Sequence, residues 1–503
     1  DAAGRVVETT DALGNTTEYV YDANGNRTEI VDANGFTTRF VYDAANRLTE
    51  HLFPDDTPAV DTDNKRYTYR YDLGVNVVQT ITPDGDTIEG RHDLMDRLVR
   101  RWYTDHDFTF TYSTDSSLWQ TVHTTGGEQW VDAYDYDARG QLDSVLSTYP
   151  GIRPRLTAYS HDDNGQRSAM VTETSETSRT TLYASDEQGR TTSIATTFDG
   201  TTTSGTFAYD AAGRQTSKSY ANNTTRSYAY DGANRLLAMA NTRTTGGGAN
   251  LLTHEYHYND VGFRNYEKRQ YDTTGGSECH ADVYSYDALY RVTDAKYQVE
   301  TVGTPAVAVA PTSGTIGPTN QPVAIAFADA HEARRQQLDL DPLHNRRSIS
   351  ESVGGAALAV LHDYNSPAGT YLPDPRSQIA DIDAGTVAPT WNDNGCLESD
   401  GERLYAWTVE NRLESVRTDS PADGDLGADY VYDHMGRRVR RKLLTYTAAT
   451  ATWDETETIA YIYDGWSVVE EVVLGATPAD ETVRARYLNG RGLDEPLAAV
   501  IAG

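Results

Sequence analysis

Acidic side chains dominate any search for chemistry in this chain, with 75 Asp and Glu against 43 Lys and Arg and a net charge of −32. Asp22-Ala-Asn24-Gly25-Asn26 opens like a calcium loop. A complete loop needs further oxygen ligands and a closing bidentate Glu at its twelfth position. Counted from Asp22, that position is Ala33. A tight turn explains the segment better, as it does Asp84-Gly85-Asp86 and Asn392-Asp393-Asn394-Gly395. His254-Glu255-Tyr256-His257 with Cys279-His280 suggests zinc, but neither finger-type spacing nor His-Glu-x-x-His is present. His257 stands between two tyrosines and falls on the opposite strand face. Asp55-Asp56 and Asp162-Asp163 are paired carboxylates of the kind glycosidases use. That work needs a fixed separation across a substrate pocket, and adjacency is common in so acidic a chain. No nucleophile elbow, phosphate loop or dinucleotide fingerprint placed between strand and helix is found. The residues therefore predict no catalytic, cofactor-binding or metal-ligating site.

The side chains that recur do so as architecture. Phe207-Ala-Tyr209-Asp210-Ala-Ala-Gly213-Arg214 returns 21 residues later as Tyr228-Ala-Tyr230-Asp231-Gly-Ala-Asn234-Arg235. Aromatics at i and i+2 share one face of a strand. The Asp then leaves the strand, and Gly or Asn follows three residues on. Gly and Asn have little in common beyond tolerance of positive φ, so the unit is strand, tight turn, strand. Structural turns of this kind are predicted at Tyr21-Asp22-Gly25, Tyr42-Asp43-Asn46, Tyr136-Asp137-Gly140, Tyr209-Asp210-Gly213-Arg214, Tyr230-Asp231-Asn234-Arg235 and Tyr432-Asp433-Gly436-Arg437. In the first fifty residues Asp1, Asp11, Asp22, Asp32 and Asp43 mark a turn about every ten residues. One strand plus its turn fills that step. Each 21-residue unit thus holds two strands and two turns, one at each margin of an antiparallel ribbon.

The recurrent Arg after each Asp is expected to neutralise Asp residues across adjacent turns and so fix register. The tyrosines are expected to form a cross-strand ladder; sugar binding by ring stacking is the functional alternative. There are 34 Tyr but only 9 Phe and 7 Trp, and Tyr can pack its ring while keeping a wet hydroxyl. The charge disfavours nucleic acid and anionic membranes as partners. No run of 18 apolar residues appears, so no membrane span is predicted. Cys279 and Cys396 are too few for a disulfide framework, and their spacing leaves a single pairing open.

Three segments follow. Residues 1–302 are repeat ribbon, with 51–66 as a loop insertion. Residues 303–335 are rich in Pro, Ala and Thr and form a loop or insertion, with a short helical turn expected at 328–337 from its helix formers. Residues 336–503 resume the repeat. The opening Asp1-Ala-Ala-Gly4-Arg5 is the back half of a unit, so a fragment of a longer protein is expected.

Tyr-x-Tyr-Asp-x-x-Gly-Arg, repeated over nearly the whole chain except about 303–335, resembles the YD-repeat (Rhs-repeat) family. Tyr461-Ile-Tyr463-Asp464-Gly465, Val468-Val469-Glu470-Glu471 and Arg486-Tyr487…Gly490-Arg-Gly492-Leu-Asp494-Glu495-Pro496-Leu497-Ala498 resemble the lead-in to the Rhs-associated core domain. The resemblance implies an all-β fold in which a long antiparallel ribbon winds into a spiral hollow shell. In bacterial members that shell encloses a C-terminal polymorphic toxin, and the core domain cuts itself with aspartates just beyond the Glu-Pro-Leu-Ala segment. No such segment follows here, so Asp494 is not assigned a protease role. The expected function is a non-enzymatic shell, secreted or on the cell surface, that encloses or presents a passenger polypeptide. The alternative is an extracellular adhesin or filament that self-associates through strand edges or meets a carbohydrate or cell-surface partner.

Overall fold

The computed structural model describes residues 1–54, 65–198, 200–243, 250–259, 261–273, 276–297, 300–301, 330–331, 334–340, 346–353, 359–363, 389–489 and 496–501. Most of the 303–335 segment, Asp55-Asp56, the tips at 246–248 and the 490–495 stretch lie outside those residues.

The described residues are almost entirely strand and turn. A 28-stranded antiparallel sheet runs from β1 (Glu8–Thr10) to β30 (Ala359–Asp363), and a 10-stranded one from β31 (Thr390–Trp391) to β40 (Pro496–Ile501). Consecutive strands pair, as β18 (Thr201–Tyr209) with β19 (Gln215–Tyr220), then β19 with β20 (Thr224–Tyr230). Every contact needed to extend the sheet is local, which makes the ribbon quasi-one-dimensional. Of the helical turn expected at 328–337, the described residues 330–331 and 334–337 are strand, and the rest lie outside the described residues. Arg334–Leu340 is instead strand β28, paired with β25 (Val292–Tyr297) and β29 (Arg346–Val353). Neighbouring strands on both sides supply the backbone partners, and that pairing overrides the weak helix preference of Ala, Arg and Gln.

Alternate margins of the ribbon differ. The Tyr-Asp turns lie along one margin and the plainer connections, such as Thr82–Asp86 and Thr125–Glu128, along the other. One face of the first sheet carries rings in contact: Phe40, His51, Phe53, Tyr67 and Tyr69 form one run, part stacked and part tilted or edge-on, and Tyr103, His106, Phe108, His123 and Trp130 a second, stacked run.

The second sheet returns onto the first. Partners across this seam are separated by between 290 and 344 residues. At its start the seam joins margins: the N–H of Asp393 donates to Asp84 at 2.7 Å, and Lys65 pairs with Asp393. Farther along, the second sheet lies across the face of the first. Trp130, Tyr159 and Met170 of the first sheet share a buried cluster with Val439, Ala460, Ile462, Val469 and Val472 of the second. The ribbon therefore completes a circuit and overlaps itself.

Candidate functional site

The turn at Asp210 shows how the repeat is built. Asp210 N–H donates to Arg214 O at 2.9 Å and Gly213 N–H to Asp210 O at 3.0 Å. The register slips between Ala208 and Tyr209, so Tyr209 faces Gln215. This is a type I turn closed by a bulge whose last residue needs positive φ. Gly213 has φ +82° and Asn234, at the same place in the next unit, +65°. The Asp carboxylate caps the turn from inside. Its Oδ1 accepts from the N–H groups of Ala212 (3.0 Å) and Arg214 (2.9 Å), and its Oδ2 accepts from Arg214 Nε at 2.7 Å. The Arg214 guanidinium, with these backbone donors, holds the Asp210 carboxyl below the usual carboxylate range.

The predicted Arg role is thereby corrected. Where the Arg stands four residues past an Asp, its guanidinium pairs with that Asp of its own turn, as Arg47 with Asp43 at 2.7 Å and Arg235 with Asp231 at 2.6 Å. Linkage to the neighbouring turn is made differently. Arg214 Nη1 donates to Asp231 O at 3.1 Å, and the guanidinium lies 5.1 Å from the centre of the Tyr230 ring. Arg190 does the same to Asp210 O and Tyr209. The fork suits this double duty because Arg can bond and stack in one geometry. Asn26 replaces the Arg at Asp22 and Gln141 does so at Asp137; Gly25 and Gly140 hold positive φ there, as Asn46 does after Asp43. At Asp433 and Gly436 the carboxylate bonds Arg437, which reaches Gly465 O.

The hydroxyl of the second Tyr is tied to the backbone. Tyr209 donates to Thr191 O at 2.8 Å and Tyr230 to Gln215 O at 2.9 Å. Tyr21, Tyr42, Tyr136 and Tyr432 reach Val6, Arg27, Leu118 and Leu413 in the same way. Each acceptor lies just past the preceding Tyr-Asp turn, so every unit is tied to the one before it. The excess of Tyr over Phe was the sequence signal for this bond. Tyr209→Phe is expected to lower stability by about 0.5–1.5 kcal/mol, read as a shift in the urea midpoint against wild type. Gly213→Val is expected to cost about 1–3 kcal/mol through backbone strain, while Gly213→Asn stays far milder. Equal melting temperatures for the two Gly213 variants would refute the turn geometry.

Among the described residues considered for chemistry, Asp84 and Asp393 meet across the seam, where the Asp393 N–H donates to Asp84; others are engaged locally. Asp22 spends its carboxylate on Asn24 N–H, Asn26 N–H and the Asn26 side chain. Asp162 caps its own turn through Asn164 and Gln166. His254 Nδ1 lies 3.0 Å from Glu267 Oε1, and the His257 ring packs on Tyr266. Among the described residues no three His, Cys, Asp or Glu side chains gather into a metal-binding group. Cys396 is a half-buried free thiol.

Sequence reasoning missed the seam. Arg155, fully buried, bonds Glu470 Oε2 at 2.9 Å and Glu481 Oε1 at 2.8 Å. Glu470 also takes Arg486 at 2.9 Å. Arg101 pairs with Glu410 at 3.2 Å, and Tyr103 donates to Glu410 at 3.1 Å. Asp464 accepts from Tyr159 at 3.1 Å and pairs with Arg167. Cations thus come mostly from the first sheet and carboxylates from the second. A cavity of about 390 Å³ opens here beside Trp466. The Arg179 guanidinium at its wall is already bonded to Thr196 and to the carbonyls of Val469 and Tyr487.

A ribbon of capped, Tyr-tethered hairpins wound back on itself is an all-β repeat protein whose recurring side chains maintain the wall. Three stretches, residues 1–37, 21–58 and 209–249, match the RHS Repeat family model. Those stretches carry the RHS/YD repeat. No curated protein matches it. Among solved structures, TcdB2-TccC3-TEV is 14% identical with a TM-score of 0.46, over 95% of this chain and 28% of that one. The Photorhabdus luminescens Tc holotoxin pore gives 14% and 0.40, over 94% and 28%. TcdB2-TccC3 without its hypervariable C-terminal region gives 13% and 0.39, over 94% and 29%. The chain therefore spans less than a third of the length of these structures.

Proposed function

We propose that this chain is a non-enzymatic wall segment of an RHS shell, secreted or displayed on the cell surface, that encloses or presents a C-terminal passenger of the polymorphic-toxin type. The observation that carries this reading is the circuit: the ribbon comes back after about 300 residues and seals against itself. On the order of 20 strands per circuit at about 4.8 Å each give a circumference of roughly 100 Å and a bore of roughly 30 Å. A polypeptide held partly folded fits such a bore, and pairing every inner strand removes the edges that would otherwise capture it. Proteinase digestion of the native protein tests the reading. A passenger that survives while shell loops are nicked supports it; digestion as fast as that of the isolated passenger refutes it. Surface proteolysis of intact cells, compared with lysed cells, tests the location.

A second reading is a surface adhesin or filament that associates through the ribbon margin, with a carbohydrate or cell-surface partner. Leu73 and Leu94 are fully exposed on successive turns of the same margin, after Tyr71-Asp72 and His92-Asp93, beside exposed Val75 and Met95. Val75 holds φ +70°, a backbone state unfavourable for a β-branched residue. An apolar side chain displayed at a strained tip is what a contact surface requires. Long fibres in electron micrographs favour this reading; compact hollow particles favour the shell.

A further inference from the structure

The stacked histidines at the seam have no part in the turns or in the wall's hydrogen-bond ladder. His106 and His123 sit on adjacent strands β10 (His106–Tyr112) and β11 (Leu118–Thr125). Their ring nitrogens Nδ1 and Nε2 are 2.9 Å apart and the rings are stacked, with centroids 5.1 Å apart. Phe108 lies 4.2 Å from His123 on one side and Trp130 5.4 Å on the other, centroid to centroid. His123 is only 3% exposed and its Nδ1 has no partner.

The second sheet closes over this stack. From its turns come Glu410, which takes Tyr103 and Arg101, and His434, whose ring meets Phe110 edge-on while its carbonyl accepts from Arg101. From β36 (Arg438–Thr447) comes Arg440, which covers Trp130 at 4.9 Å and pairs with Glu128. The charged groups facing the histidines are therefore Arg101, Asp105, Glu410 and Arg440, with Asp433 and Arg437 beside His434.

We propose that His106, His123 and His434 form an acid-sensitive latch that holds the second sheet on the first at neutral pH and releases it on acidification. One shared proton satisfies the His106–His123 contact. Protonating both rings would place two stacked cations between Arg101 and Arg440, with Asp105 and Glu410, the latter already engaged by Arg101 and Arg412, as the nearby carboxylates. The closed seam avoids that state by keeping the rings neutral. Burial accordingly pushes all three imidazoles below the usual histidine range, His123 to about 3. The sign follows. An opened seam binds protons near pH 6.5, whereas in the closed seam all three imidazoles bind them at lower pH, His123 only near 3, so closure is complete above 6.5 and is lost as pH falls below it. Each proton taken up on opening raises the opening constant about tenfold per pH unit.

Hydroxyl-radical footprinting of the whole chain between pH 7.5 and 4.5 measures this directly, with exposed Trp119 as the dose reference. Oxidation of Trp130 and Tyr103 is expected to climb about tenfold per unit below pH 6.5, with far-UV circular dichroism unchanged. In His123→Asn the same residues should stay protected to pH 4.5. If that variant fails to fold at pH 7.5, His106→Gln, at the less buried ring, serves instead and should flatten the profile. Protection of wild-type Trp130 down to pH 4.5, or loss of it in step with wild type in the folded variant, overturns the proposal.

Discussion

Glu470→Ala is expected to destabilise the protein by about 3–5 kcal/mol, the cost of stranding a buried cation. Glu470 sits between two guanidiniums, Arg155 and Arg486, each at 2.9 Å, and Arg155 is fully buried. Removing the carboxylate leaves Arg155 with Glu481 and the Arg153 carbonyl, and takes from Arg486 the carboxylate it bonds at 2.9 Å. The measurement is the shift in urea midpoint multiplied by the slope of the transition. Arg484→Ala is the internal comparison. Its partner Glu457 is 2.8 Å away, but both side chains are about a third or more exposed, and such pairs contribute about 0–1 kcal/mol. Equal losses in the two variants would mean that the seam is hydrated rather than closed.

Ile462→Ala tests the apolar half of the same seam. Ile462 is 2% exposed and packs with Trp130, Tyr159 and Met170, all more than 290 residues earlier in the chain. Truncation should cost about 2–5 kcal/mol, the transfer of the lost methylenes plus the cavity left behind. A second sheet standing free in solvent would show less than about 1 kcal/mol, because a surface methyl can be lost without leaving a void. The two variants probe different physics at one interface, and their shared partners make a less than additive double variant the expected result.

Much of the wall was legible because its rules are local. The exchange of Gly213 for Asn234 announces a positive-φ position with no structure in hand, and the ten-residue spacing of Asp1, Asp11 and Asp22 announces strand length. Two local inferences went astray for identifiable reasons. The Arg was assigned to the neighbouring turn's Asp, but a side chain four residues along the same turn reaches its carboxylate first, and only the remaining nitrogen is left for the next unit. The Tyr hydroxyl was assigned to water because a ring on a half-buried sheet can hold one there; the carbonyl one unit back competes better. Arg334–Gln337, expected in a helical turn, are strand because propensity is a weak prior beside two pairing strands. Arg155 and His123 carry no signal in the sequence, and Glu470, though part of a recognisable segment, carries none of its seam role. Their partners are set by how the ribbon curves, and nothing in a 21-residue metre encodes curvature.

The self-overlap has a consequence for how such a chain can change. Within the ribbon, one unit more or less is a small event, since each hairpin answers only to its neighbours. At the overlap it is not. Arg155 meets Glu470 because a fixed number of strands lies between them, and losing one 21-residue unit from that stretch would present Arg155 with a different tooth of the opposing row. Chain length between the two rows acts as a phase. Divergence in the length of the intervening segment is therefore expected to proceed in whole circuits' worth of compensation, or in outward loops that add residues without adding strands.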